Sequence, residues 1–460
     1  MKTYRSSRLL GVACILVLAA CSSLLDVKNP NNVNQSDLSN PASAASQASG
    51  VLATVARAWG QILTPYSMAT DELSWMGSRD AWQTLDQGTI SDPGNEFVDA
   101  AFFTVGEARW WADDVIKRLR GFDSASVLPD RDDLARSYLY GAIIYTMIGN
   151  VFDNFPIGSD RTIAAPALGA TKMDSVYKVA ISYATSGIAV AQATGNVELQ
   201  LDLTAERAVA RYYLALWAKL NNPPPATVPI ASPLVNDAAA VADANAALTL
   251  AGGSDWRYQF QYSASTITTD IGFEVNERQE MRIGSTYVYP ICSVSGCTSG
   301  GKVVTVDSLR LKDPMDNKAD PELTRFLLNN TDGFLKLTRY GPLTFLSARE
   351  LQLIVAEAAL AAGDNTGFQN AINAERARDG LTAYTGAGPT PLAMLQYERQ
   401  RNLFLQGKRL ADQYRFGVAA DLWQTGSEAF TAPGTFLPIT ISERIANSYC
   451  LADPTSCGGR

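Results

Sequence analysis

The stretch from Ser347 to Gly380, SARELQLIVAEAALAAGDNTGFQNAINAERARDG, decides the fold. Ser347 and Glu350 have the spacing of a capping box ahead of Leu351, Ile354, Val355 and Ala358, and Gly363 follows the last apolar position as a stop. Thr366 and Gln369 repeat the box ahead of Ala371, Ile372 and Glu375, with Gly380 as the second stop. Two helices of this length joined by so short a loop pack antiparallel. A third helix is predicted from Thr390-Pro391 to Gly417, with Pro at the first helical position.

Working outward, five more segments carry apolar residues at three- and four-residue spacing: 42–63, 95–120, 131–148, 173–193 and 204–220. In the last, Ala208, Tyr212, Ala215 and Leu216 share one face. Helix pairs of this size point to tetratricopeptide-like stacking, although no fixed period runs through the chain. Residues 222–344 read differently, rich in Pro, Gly, Ser, Thr and Asn, with short strands expected at 285–291 and 302–306. The expected fold is mainly α: a helical repeat scaffold, an α-α superhelix, with long irregular loops and a few short strands.

At the amino end, Lys2, Arg5 and Arg8 precede the apolar run Leu9–Ala20, too short for a membrane span and shaped like a secretory signal. The run closes on Leu18-Ala19-Ala20-Cys21, which resembles a lipobox, so residues 1–20 read as the signal and Cys21 as the lipidated residue. Losing the three basic residues with the signal takes the formal charge from −8 to −11. Residues 22–41, rich in Ser, Asn and Pro, suit an extended tether. Cys292 with Cys297 and Cys450 with Cys457 remain as two short-range couples for disulfides; neither has the CxxC spacing of a metal site.

Histidine is absent from all 460 positions, which excludes a Ser-His-Asp triad, a Cys-His pair and an HExxH zinc site. The excess of 46 acidic over 38 basic residues argues against general nucleic-acid binding. Gly296 to Lys302, GCTSGGK, matches the first seven positions of a phosphate-binding loop, but Val303 stands where Ser or Thr should hold magnesium. No cofactor or metal is expected. Two carboxylates suffice for a glycosidase, so a surface glycoside hydrolase is one alternative and a protein-docking repeat adaptor another. The adjacent pairs Asp71-Glu72 and Asp113-Asp114 read instead as solvated surface or helix-start residues, and Trp110-Trp111 as core. In TDELSWMGSRDAWQ, Thr70 to Gln83, the indoles of Trp75 and Trp82 flank Arg79 and Asp80, a mixture that suits a polar ligand with an apolar face. Trp75, Arg79, Asp80 and Trp82, with Tyr287 and Tyr289, are the ligand-binding residues expected from local chemistry; no catalytic residue is expected.

Several motifs in order resemble the SusD/RagB family of outer-membrane nutrient-binding lipoproteins. They are the lipobox at Cys21 followed by LLDVKNP from Leu24 to Pro30, ARYYLALWAKL from Ala210 to Leu220, and Arg339-Tyr340 leading into VAEAAL from Val355 to Leu360. INAERARDGL from Ile372, ERQRNLFLQGKRLADQYRFG from Glu398 to Gly417 and FLPITISERIAN from Phe436 complete the series. Asn402 and Gln406 stand where the family usually carries Glu, which puts the local salt-bridge network in doubt; Arg409 and Asp412 are spaced to pair one turn apart.

The resemblance implies one SusD-like body over 42–460, with the scaffold at 42–221 and 345–420, a loop-rich insertion at 222–344 and a C-terminal segment at 421–460. It implies a non-enzymatic protein that binds a glycan or oligopeptide and hands it to a SusC-like TonB-dependent transporter, lipid-anchored at the outer membrane and displayed at the cell surface. Set against surface display, the acidic cluster that often follows the lipidated Cys in exposed relatives is missing, with only Asp26 nearby.

Overall fold

The computed structural model describes residues 35–160, 162–220, 228–289, 306–336 and 339–459. Cys21, Cys292, Cys297 and the phosphate-loop-like segment lie outside the described residues.

Ten principal helices carry the architecture: α1 Ala44–Met68, α2 Glu96–Ser124, α3 Arg131–Val151, α4 Asp174–Thr194, α5 Val197–Leu220, α6 Ala238–Leu250, α7 Ala348–Ala361, α8 Asn365–Arg378, α9 Pro391–Asn402 and α10 Arg409–Phe416. From α2 to α8 each helix packs on the next, and α1 lies across α2 and α3. This is the stacked superhelix expected from the helix-pair spacing. Nearly all of α3 is buried, so it reads as apolar or small on every side and forms the centre of the stack. All five early helices fall where the apolar spacing puts them.

Several expected details differ. Residues 35–38 form a short helix and 41–43 a 3₁₀ turn, where an extended tether was expected, because the Asn40 side chain caps the turn. The insertion is less irregular than its composition suggests. It supplies α6, which packs between α5 and α7, and the short helix Pro321–Leu328. The strands are β1 Leu73–Trp75, β2 Arg257–Phe260, β3 Met281–Ile283 and β4 Leu343–Ser347, paired antiparallel as β1–β3 and β2–β4. Of the strand expected at 285–291, the described residues 285–289 turn after Gly284 and pair through the bridge Val288–Leu309. Most of 302–306 lies outside the described residues.

At α7, Ser347 Oγ accepts the Glu350 N–H at 3.1 Å, as the box requires. The Glu350 carboxylate is drawn away to Tyr213 and Lys408. α8 starts earlier than Thr366, since Asp364 takes the cap by accepting the Gly367 N–H at 2.8 Å. The helix predicted from Pro391 to Gly417 is two helices. Leu405 and Gly407 adopt φ of 52° and 66°, and the freed Leu405 N–H donates to Glu72 Oε1 at 2.8 Å. A side chain at Gly407 would stand 2.7 Å from the Trp59 ring, so glycine there permits both the turn and the contact.

The break redirects the charges. Arg409 pairs with both oxygens of Asp71 at 2.7 Å, not with Asp412, which instead binds Arg399 and Arg415. Asp71 and Glu72 are consequently buried, where a solvated position was expected. Burial pushes the Asp412 carboxyl up, but Arg399 and Arg415 outweigh it and hold the group below its ordinary range. The network survives the amides at Asn402 and Gln406: Asn402 accepts from Arg349 at 2.8 Å and donates to Glu398 at 3.1 Å, and Gln406 donates to the Asn402 carbonyl. A neutral amide both donates and accepts, so it fits between a buried Arg and a buried Glu.

Candidate functional site

A cleft of about 540 Å³ is built on one stripe of α2. Asn95 starts that helix by accepting the N–H groups of Phe97 and Val98. Phe103, Gly106, Glu107 and Trp110 then recur on one face at helical spacing. Phe103 is 69% exposed and Trp110 half-buried. Between the two rings Gly106 leaves a slot: a Cβ there would meet only Phe155 Cζ, at 3.9 Å.

The opposite walls are the loop 155–165 and the short helix Ile441–Ala446. Three tethers hold them in place. Leu437 bridges to Phe152, with Leu437 N–H on the Val151 carbonyl and Asp153 N–H on the Leu437 carbonyl. Asp99 on α2 accepts the Ser442 N–H and hydroxyl, and Asn447 Nδ2 donates to the Ala165 carbonyl at 2.8 Å. Beyond them, Cys450 and Cys457 form a disulfide, and Asn154 Nδ2 donates to the carbonyls of Ser456 and Gly458.

Arg109, buried beside Trp110, donates to the Gly158 carbonyl and lies 3.2 Å from Asp113. Asp113 also accepts the hydroxyls of Tyr145 and Tyr183 at 2.8 Å, and burial followed by the Asp113 charge pushes both phenols well up. At the rim, the N–H and hydroxyl of Thr162 hold the Asp160 carboxyl below its ordinary range. The cleft thus combines flat apolar faces with fixed carboxylates, the mixture that orients a small polar ligand.

None of the residues expected to bind ligand lines this cleft. Trp75 ends β1, half-buried, its N–H on Asp86 at 2.8 Å and its indole nitrogen sealed without a partner. Arg79 lies 5.3 Å over the Phe97 ring and 3.1 Å from Glu96; Asp80 is exposed at the start of the short helix Asp80–Asp86. Trp82 is corrected to a packing residue: it is 2% exposed and stacks on Phe97 with ring centroids 3.5 Å apart. Tyr287 is likewise sealed, its ring against Phe404 at 4.5 Å. Tyr289 is exposed under Arg310, 4.9 Å from its ring. Conversely Trp110, expected in the core, faces the cleft, and the signal for it was glycine between two aromatics on one helical face.

With this geometry the molecule is a stacked helical-repeat protein carrying a walled surface cleft. Its fold is shared with a SusD superfamily protein from Bacteroides fragilis at 11% identity, covering 89% of this chain and 98% of that one, with a TM-score of 0.59. A SusD homolog from Bacteroides thetaiotaomicron matches at 14% identity over 91% and 98%, also with a TM-score of 0.59. A SusD superfamily protein from Parabacteroides distasonis matches at 11% identity over 89% and 98%, with a TM-score of 0.56. No sequence among curated proteins matches the chain. Residues 350–437, which hold α7 to α10 and the buried ion-pair network, match the model described as the SusD family. The chain thus carries a SusD-family segment on a fold shared with SusD superfamily structures.

Proposed function

We propose that the protein is a nutrient-binding lipoprotein, anchored through Cys21 at the outer membrane, that captures an oligosaccharide in the Trp110 cleft and passes it to a SusC-like TonB-dependent transporter. One observation carries the reading: the aromatic stripe Phe103–Trp110 opens, across the Gly106 slot, into a cleft of about 540 Å³, within the range that small ligands occupy. The SusD-family segment supports binding in preference to catalysis. No helix of the described residues is long and apolar enough to cross a membrane; in this reading the lipid on Cys21 supplies the attachment. Sugar rings would lie on the Trp110 and Phe103 faces while the rim carboxylates accept hydroxyl hydrogens. Handover requires release, which favours micromolar to millimolar dissociation constants, about 4 to 8 kcal/mol.

Isothermal titration of the protein against oligosaccharides and oligopeptides tests this. Trp110→Ala should weaken the bound ligand by about tenfold or more, the loss of one stacked aromatic face. Gly106→Leu, a better helix former than glycine, should keep the fold and fill the slot with the same effect. Undiminished affinity in both variants would place the ligand elsewhere, with the exposed Tyr289 and half-buried Trp75 as the next surface to test.

A further inference from the structure

The charges around the cleft do not balance. Glu107 is matched by Arg57 and Arg109 by Asp113. Asp99, Asp160 and Glu443 form no ion pair with a described residue; Asp99 accepts from Ser442, Asp160 from Thr162 and the Ile163 N–H, and Glu443 from Asn447. Arg444, next to Glu443, turns to the Ile439 carbonyl instead. Arg161, on the same loop as Asp160, lies outside the described residues; counted at full charge, it leaves an excess of two carboxylates. These acids ring a mouth in which low-dielectric aromatic walls concentrate the field, on a chain that is itself acidic.

We propose that the cleft selects oligosaccharides bearing protonated amino groups, hexosamine units without acetyl caps, over neutral and acidic ones. The proposal rests on the reading of the cleft as the nutrient site. An ammonium group gains from the carboxylates that have no ion-pair partner among the described residues, and the exposed ring of Phe103 adds cation–π attraction. A uronic acid or sulfated sugar meets like charge with no basic side chain of the described rim left to neutralise it. A basic peptide offers the same charge but loses most of its usual hold. The cleft is walled by helix faces and by a loop whose bridge, Pro156–Ala167, is internal, so no strand edge is presented for main-chain pairing.

The test compares, by isothermal titration at mildly acidic pH and low salt, the tetramers of glucosamine, N-acetylglucosamine, galacturonate and lysine. The glucosamine tetramer should bind about tenfold more tightly than its acetylated twin, with the gap closing at high salt. The double variant Asp160→Asn/Glu443→Gln, which removes the rim charges and keeps oxygen acceptors, should close that gap, the glucosamine tetramer then binding no more tightly than its acetylated twin. Equal affinities for the two glucosamine forms, tighter galacturonate, or a gap that survives the double variant would overturn the selectivity while leaving the cleft as a sugar site. Tetralysine as the tightest ligand would overturn it in favour of a basic peptide. Failure of the folded wild-type protein to bind any of the sugars would instead defeat the underlying reading of the cleft.

Discussion

Glu206 on α5 is fully buried; one carboxyl oxygen accepts the Thr146 hydroxyl from α3 and the other has no partner. Burial pushes this carboxyl up to about 8, the Thr146 bond and the Lys408 charge pull the other way, and Glu350 adds to the rise. The folded protein therefore keeps a proton on Glu206 that the unfolded chain releases near 4.5, so the contribution of this group to stability is complete below about pH 4.5 and is lost as pH climbs towards 8. Linkage from these two values gives a loss of about 3–4 kcal/mol between about pH 5 and pH 8. With an unfolding entropy of about 2.1 cal/mol/K per residue, a body of roughly four hundred residues shifts its melting temperature by about 1 °C per kcal/mol. Glu206→Gln keeps an acceptor for Thr146 and carries no charge. Its melting temperature, minus that of the wild type, should rise by about 4 °C between about pH 5 and pH 8 in scanning calorimetry. Other raised carboxyls, such as Glu72 at about 8 and Asp202 at about 7, cancel in that difference. A difference that stays flat with pH, or falls, would show that Glu206 ionises in the fold at an ordinary value.

Removing one member of the buried pair Asp71–Arg409 should be harsher. Asp71→Ala leaves the guanidinium uncompensated and should cost about 3–5 kcal/mol, read as an earlier midpoint in urea unfolding. Gly407→Ala places a methyl 2.7 Å from the Trp59 ring at a φ of 66° and should cost about 2–4 kcal/mol by the same measurement. If Gly407→Ala is neutral, the turn between α9 and α10 is not as tight as its contacts imply.

The repeat scaffold was legible because its signals are local. Apolar spacing, caps and glycine stops are set within a turn or two of the chain, and Thr390-Pro391 starts α9 where the spacing puts it, Thr390 accepting the Ala393 N–H. What was not legible is long-range. Gly407 permits a turn, but nothing within Glu398–Gly417 requires the helix to break at Leu405, because the acceptor that takes the freed N–H is Glu72, more than three hundred residues away. Arg409 and Asp412 have ideal helical spacing, yet the break puts Arg409 opposite Asp71 and leaves Asp412 to Arg399 and Arg415.

The same asymmetry governs the ligand surface. Two indoles close in sequence look like a platform, but whether a ring is a floor or a wall depends on what covers it, and Phe97 covers Trp82 from fifteen residues along the chain. Trp110 becomes a floor because Gly106 declines to fill the space in front of it and because Ser442 and Asn447, from the far end of the sequence, stand the opposite wall upright. Binding chemistry in such a fold is therefore found by asking where a helix face lacks a partner. On α2 the stripe Phe103–Gly106–Trp110 lines the cleft, with Phe103 largely exposed, which leaves aromatic area that a ligand can cover.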